Sequence, residues 1–187
     1  MEANSKRDIQ INNNRNPRHS IASRVAYTGM LFAIALVLQV VEYMLPPLPV
    51  PAPIKLGLSN IVVMYCVAFL SRRETFILVI LKGFFALIMR GLLAGGLSLF
   101  GGLLSVAVMM LLDRIFKNKV SWLVLSVTGA NFHNIGQLVV LLIFLPVGTI
   151  MTMLPVLLIF GTLTGALSAV LLNATIPVLA KIRRTSV

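Results

Sequence analysis

Apolar stretches long enough to cross a lipid bilayer recur along almost the whole of this chain. The hydrocarbon core of a bilayer is about 30 Å thick, and a helix crosses it with about 20 mainly apolar residues. Charged residues make up 11% of the chain, whereas a soluble domain carries about 25%. The sequence therefore predicts an all-α integral membrane bundle of six transmembrane helices over residues 21–187. The six spans lie at about 24–45, 54–70, 75–89, 95–112, 120–145 and 152–179.

The basic residues predict which side of the membrane each connection faces. With the N-terminus inside, all but three of the 16 lysines and arginines fall in cytoplasmic segments, as the positive-inside rule requires. An even number of spans returns the C-terminus, with Lys181 and Arg184, to the same side. Residues 1–20 are polar and lack the apolar run of a signal peptide, so we expect a disordered cytoplasmic tail. The net charge of +11 then reflects membrane topology rather than nucleic-acid binding.

The three other basic residues, Lys55, Lys82 and Arg90, fall where the positive-inside rule predicts none. Lys82 lies near the middle of the third span, where a charge costs about 3 kcal/mol on insertion scales. We expect these cations, with Asn60 at the mouth, to line a cavity that is open to the outside and binds an anionic carboxylate or phosphate. Alternatively, Lys82 pairs with Glu42 or with backbone carbonyls, while Lys55 and Arg90 extend to lipid head groups.

Four hydrogen-bonding side chains cluster in the fifth span: Asn131, His133, Asn134 and Gln137. Asn131 and Asn134 share one helical face, and His133 and Gln137 share another. Such side chains are costly against lipid. We therefore expect them to contact a ligand or, alternatively, to form hydrogen bonds between helices. We do not expect His133 to bind a metal, because no second histidine, cysteine or carboxylate lies at ligand spacing.

Small residues and prolines predict how the spans pack and where they end. A stripe of small residues on the first span lets another helix approach closely, and that helix belongs either to this chain or to a partner subunit. For a group of glycines around the third and fourth spans we expect tight internal packing. Five prolines between Pro46 and Pro53 exclude a helix there and predict an extended connector. The stripe consists of Ala22, Ala26, Gly29 and Ala33, and the glycines are Gly91, Gly95, Gly96, Gly101 and Gly102.

The acidic residues argue against an enzyme. There are five of them and they form no cluster, whereas prenyl and phosphoryl transfer normally need grouped carboxylates that hold Mg²⁺. The chain also lacks a glycine-rich phosphate loop that ends in Gly-Lys-Ser/Thr. The single cysteine, Cys66, excludes an intrachain disulfide. We therefore expect no catalytic residue, metal or cofactor, and any uphill transport would be driven by a partner ATPase or an ion gradient.

Three stretches resemble those of a bacterial membrane family called heptaprenyl diphosphate synthase component I, or the Gx transporter family. They are Pro51–Ile61, Gly101–Ser105 and Gly129–Gln137, and the resemblance extends over about 22–179. It implies a location in the bacterial plasma membrane. The first family name also implies a role in making the isoprenoid tail of menaquinone, although the aspartate-rich motifs of prenyl synthases are absent.

The size and the small-residue stripe also resemble the S component of energy-coupling factor transporters. In such transporters a small membrane protein captures a vitamin-like solute, and a coupling subunit with two ATPases drives its release inside the cell. This resemblance implies that Ala22, Ala26 and Gly29 meet the coupling subunit, and that the chain captures a small solute that is anionic or related to a vitamin or an isoprenoid. The alternatives are a non-catalytic membrane partner of a heptaprenyl diphosphate synthase, and an assembly protein without a ligand.

Overall fold

The fold is seen in a computed structural model that describes residues 21–44, 57–116 and 120–185, with side chains over 24–44, 57–116 and 120–174. The regular structure in these ranges is helical, which confirms the all-α class. The helices are α1 (Ile21–Met44), α2 (Leu58–Phe69), α3 (Arg72–Ile115), α4 (Trp122–Leu141) and α5 (Val147–Thr185). Three of them, α1, α3 and α5, are long and apolar enough to cross a membrane. The predicted tail 1–20 and the proline-rich connector lie outside the described residues.

The third and fourth predicted spans form one helix, α3, that is interrupted at Gly91. This residue has φ 83° and ψ −178°. The chain folds back at Gly91, because a Cβ atom added at Gly95 would lie 2.7 Å from the Cβ of Leu87. In a continuous helix those two residues would be about 12 Å apart. α3 therefore consists of two antiparallel arms, residues 72–90 and 92–115, where the sequence predicted two separate spans.

We expect Gly91→Ala to lower the free energy of unfolding by about 1–3 kcal/mol, because this backbone conformation is strained for any residue but glycine. The added methyl group meets no obstacle, since no atom lies within 4 Å of it. Gly148→Ala is the matched control, because Gly148 is equally open and has no positive φ. Unfolding in detergent, followed by circular dichroism, measures both variants. Equal free energies of unfolding for Gly91→Ala and Gly148→Ala would contradict a strained backbone at residue 91.

The short helix α2 lies at the centre of the bundle. It packs against α1 and α3, and more lightly against α4 and α5. Five consecutive residues from Val62 to Cys66 are buried. At 1.5 Å per residue, its 12 residues extend only about 18 Å, which is less than the hydrocarbon thickness of a bilayer. The predicted second span is therefore seen as a helix only from Leu58 onwards.

Large apolar side chains also cover the outside of the bundle. Ile88 on α3 and Ile143 just after α4 are each 77% exposed, and Val25 on α1 is 66% exposed. Soluble monomers rarely expose broad apolar patches, because water solvates them poorly. This outer surface agrees with a membrane protein whose helices face lipid.

Glu74 fixes the start of α3 and ties it to α1. The Ser71 side chain caps the helix by accepting the Glu74 N–H at 3.4 Å, and the Glu74 carboxylate accepts the Ser71 N–H at 3.0 Å, which is a capping box. The Arg24 guanidinium lies 2.8 Å from the same carboxylate. Burial alone would raise the pKa of Glu74, but the hydrogen bonds from Ser71 and the charge of Arg24 together lower it.

This lowered pKa makes the contribution of Glu74 depend on pH. The stabilisation is present above the unfolded-state value near 4.5 and is lost as the pH falls through the lower folded-state pKa. We expect Glu74→Gln to cost less than about 1 kcal/mol at pH 7, because the ion pair is screened by solvent. In acid the difference from wild type should vanish. Unfolding of wild type and Glu74→Gln at pH 7 and in acid tests this. A stability difference between the two proteins that is larger in acid than at pH 7 would contradict it.

Candidate ligand-binding site

A polar cleft lies inside the bundle, and all five helices contribute to it. The cleft is partly open to the surroundings. Polar side chains that converge in an otherwise apolar bundle are typical of a small-molecule site. The lining consists of Gln39, Glu42 and Tyr43 of α1; Gly57, Ser59 and Asn60 at the start of α2; Lys82 and Ser98 of the two arms of α3; Ala130, His133, Asn134 and Gln137 of α4; and Thr164 of α5.

Lys82 lies within this cleft and is only 6% exposed. Its Nζ atom donates a hydrogen bond of 2.9 Å to Oδ1 of Asn60 on α2. The structure thus brings together two of the predicted site residues, although they are far apart in the sequence. It also places a cation inside a bundle whose outer surface is apolar.

The α1 side of the cleft supplies hydrogen-bond acceptors. Glu42 is buried, and its carboxylate accepts the backbone N–H of Gly57, just before α2. Gln39 is 2% exposed, and its Nε2 atom donates to the hydroxyl of Tyr43. Its Oε1 atom has no hydrogen-bond partner among the described residues. A buried amide oxygen left unsatisfied costs about 1–3 kcal/mol, so Gln39 offers an acceptor that a ligand can use.

Part of this lining was not predicted from the sequence. Gln39, Tyr43, Ser59, Ser98 and Thr164 were not predicted as site residues, and Glu42 was considered only as a partner for Lys82. The sequence did contain a signal for the two α1 residues. Gln39 and Glu42 continue, at helical spacing, the face that buries Leu31 and Ala35, so their side chains had to point into the bundle.

The polar group of α4 divides between two environments. His133 and Gln137 both line the cleft, and their Nε2 atoms are 3.1 Å apart in a hydrogen bond. Asn134 also lines the cleft, but its Nδ2 atom donates to α5 at 2.8 Å. Asn131 donates to α5 at 3.2 Å and is not part of the lining. His133 and Gln137 therefore lie in the cleft lining, whereas Asn131 joins two helices.

Arg90 does not line the cleft, in contrast to Lys82 on the same arm of α3. It is exposed next to the break at Gly91, about two helical turns beyond Lys82. Its guanidinium carbon lies 4.4 Å from the ring centroid of Tyr43, in a cation–π contact. Arg90 therefore meets the outer side of a residue that lines the cleft. Lys55 lies outside the described residues.

The small-residue stripe of α1 faces away from the cleft. Ala26, Gly29 and Ala33 are exposed, and no atom lies within 4 Å of a Cβ atom added at Gly29. The side chain of Ala22 lies outside the described residues. Within the described part of the chain, these three residues do not pack against another helix. They leave a smooth surface for lipid or a partner subunit.

Two of the stretches that resemble the bacterial membrane family, Gly101–Ser105 and Gly129–Gln137, pack directly against each other. The Ser105 hydroxyl donates a hydrogen bond of 2.7 Å to the carbonyl oxygen of Gly129. A Cβ atom added at Gly136 would lie 2.8 Å from the Cα atom of Gly101, so the backbones of α3 and α4 touch there. Only glycine permits such an approach. This confirms tight internal packing at Gly101, and the crossing holds His133 beside the second arm of α3.

Comparison with known proteins identifies the family. A family profile described as heptaprenyl diphosphate synthase component I matches residues 31–175, a range that includes every residue of the cleft lining. No curated protein and no solved structure matches the chain. Because the profile covers most of the 187 residues, the chain belongs to the heptaprenyl diphosphate synthase component I family.

Proposed function

We propose that this chain is a non-catalytic membrane component that acts together with a polyprenyl diphosphate synthase. The family match over residues 31–175 is the observation that carries this proposal. The described residues contain no group of three or more histidine, cysteine or acidic side chains that could hold a metal ion. Prenyl transfer that depends on carboxylate-bound Mg²⁺ would then take place on the partner enzyme, while this chain supplies a membrane anchor and a ligand cleft.

The cleft would bind the polar part of a small ligand. Lys82, Asn60, His133 and Gln137 line it together, and an ionisable side chain within a membrane protein usually serves a function because its burial is costly. The ligand would reach these groups through the open part of the cleft. The partner enzyme or a partner transporter would determine what happens to it next.

We also infer six membrane crossings in the bacterial plasma membrane. The two arms of α3 would be about 28 and 36 Å long at 1.5 Å per residue, so each can cross a bilayer once. Together with one crossing each for α1, α4, α5 and the segment that contains α2, the two arms give six crossings. Both termini would then lie in the cytoplasm, in agreement with the basic residues at the two ends.

Affinity purification of the full chain from its own membranes tests the proposed partnership. The expected result is that a polyprenyl diphosphate synthase co-purifies, and that synthase activity in the eluate depends on that enzyme. Recovery of a coupling subunit and ATPases without any synthase would contradict the proposal.

A second candidate function is solute capture for an ATP-driven transporter, similar to an S component. The exposed stripe of Ala26, Gly29 and Ala33 favours it, because small residues allow a partner helix to approach closely. This candidate predicts that ATPases and a coupling subunit co-purify. It also predicts that Gly29→Leu abolishes their recovery, while Val37→Leu, at another exposed position of α1, does not. Equal recovery with both variants would argue against it.

A further inference from the structure

We propose that the α1 wall of the cleft, formed by Gln39 and Glu42, binds an amino group of the ligand through its N–H donors. This inference rests on the proposed ligand-binding role of the cleft, and it specifies one chemical group that the ligand must carry. Both side chains belong to the cleft lining, and both supply hydrogen-bond acceptors to it.

Gln39 holds an acceptor that the described residues leave unused. Its side chain lines the cleft and is 2% exposed. The Nε2 atom donates to the Tyr43 hydroxyl, whereas the Oε1 atom is buried and accepts no hydrogen bond within the described part of the chain. Such an oxygen is destabilising, because it has lost its hydrogen bonds to water. A ligand that donates a hydrogen bond to Oε1 would remove this cost.

Glu42 places a second acceptor on the same face of α1. The two residues are three apart in the sequence, and the Cβ atoms of such a pair lie about 5–6 Å from each other on a helix. Glu42 is buried, and its Oε1 atom accepts the backbone N–H of Gly57. A carboxylate has two oxygens and about four lone-pair sites, so this hydrogen bond leaves Glu42 able to accept others.

An amino group fits two acceptors that lie this close together. A primary amine has two N–H bonds on one nitrogen and an ammonium has three, so a single nitrogen can donate to both Gln39 and Glu42. A hydroxyl group has one hydrogen and would satisfy only one of them. A hydrogen bond to a carboxylate is stronger when the donor is charged, which favours the ammonium form.

Two sources can supply an amino group: a water-soluble amine and the head group of an aminophospholipid. The full chain is therefore purified from its membranes in detergent and denatured, and the released molecules are divided into aqueous and organic phases. Both phases are treated with an amine-reactive tag, and the tagged molecules are quantified by mass spectrometry. Wild type is expected to release a tagged molecule, in the aqueous phase if it is a soluble amine and in the organic phase if it is a lipid.

Two substitutions of Gln39 separate its acceptor from its contact with Tyr43. Gln39→Met and Gln39→Glu both lose the amide nitrogen that binds Tyr43, but only Gln39→Glu keeps oxygen acceptors at this position. Gln39→Met should release at least about tenfold less of the tagged molecule than wild type, since it loses one hydrogen bond to the ligand. Gln39→Glu should release about tenfold more than Gln39→Met. Glu74→Gln, which removes a carboxylate outside the lining, should match wild type.

Two further measurements keep the test decisive. If Gln39→Glu is not folded by circular dichroism, Tyr43→Phe takes its place, because it removes the same hydrogen bond and keeps Oε1. If wild type releases no tagged molecule, its cleft is empty after purification and is probed with two cations of equal charge. Ethylammonium has N–H donors and tetramethylammonium has none, so only ethylammonium at millimolar concentration should raise the Tm.

Three results would overturn the inference. The first is a released molecule without an amino group that Gln39→Met fails to retain; the cleft would still bind a ligand. The second is equal release of the tagged molecule by wild type and by folded Gln39→Met. The third is no tagged molecule together with the same Tm in both cations. Co-purification of a synthase is scored in the same preparation, so the proposed partnership stands or falls separately.

Discussion

Gly136→Ala is expected to lower the free energy of unfolding by about 3 kcal/mol, the upper part of the range for overpacked cores. The added methyl group would lie 2.8 Å from the Cα atom of Gly101 and 2.9 Å from the carbonyl oxygen of Phe100. Both atoms belong to the backbone of α3, so no side-chain rotation can relieve the overlap. The two helices would have to move apart, and His133 would move with α4.

Gly129→Ala on the same helix is the matched control. Its added methyl group would lie 2.5 Å from the sulfur atom of Met109, and that side chain is flexible enough to move away. We therefore expect a loss of less than about 1 kcal/mol for this variant. Unfolding of both variants in detergent gives the comparison. Equal losses would contradict a direct backbone contact between α3 and α4.

Lys82→Met and Glu42→Gln are each expected to lower the free energy of unfolding by about 2–3 kcal/mol, because each removes one of the two opposite charges that the described residues place in the buried lining. Each substitution would leave the other charge without its counterpart in the cleft. The double variant restores neutrality, so its loss should be smaller than the sum of the single losses by about 1–2 kcal/mol.

A double-mutant cycle in ligand-free protein measures this coupling. All four proteins are unfolded under the same detergent conditions. Glu74→Gln with Lys82→Met serves as the control cycle, because Glu74 lies at the far end of the first arm of α3 and should not couple. Additive losses in the test cycle would mean that Glu42 and Lys82 do not balance each other.

The helical class and most of the helices could be predicted from hydrophobicity alone, because apolar stretches of bilayer length leave few other folds. The two arms of α3 correspond to the predicted third and fourth spans. The tight turn between them was not predicted, since residues 91–96 contain little that is polar, and the reversal depends on the backbone conformation of Gly91. The predicted second span also begins before α2: Gly57 precedes the first turn of this helix, and residues 54–56 lie outside the described residues.

The candidate site was predictable where polar residues interrupt an apolar span. Lys82 and the α4 group attract attention for that reason, and the structure places Lys82, His133 and Gln137 around one cleft. Arg90 carries the same charge as Lys82, but helical rotation and two turns of rise put it outside the lining. Gln39 was not predicted as a site residue, because a single uncharged amide near the end of a span adds little to the free energy of inserting that span into a membrane.

A ligand-binding role requires that the polar interior is an accessible cleft and not a closed network of hydrogen bonds. Reaction of the folded protein with a small water-soluble thiol reagent, followed by intact-mass measurement, distinguishes these two states. Ser98→Cys, in the lining, should gain one adduct. Wild type, whose single cysteine Cys66 is 0% exposed, and Ser126→Cys, at a buried serine outside the lining, should gain none. Failure of Ser98→Cys to react any faster than these two proteins would contradict an accessible cleft.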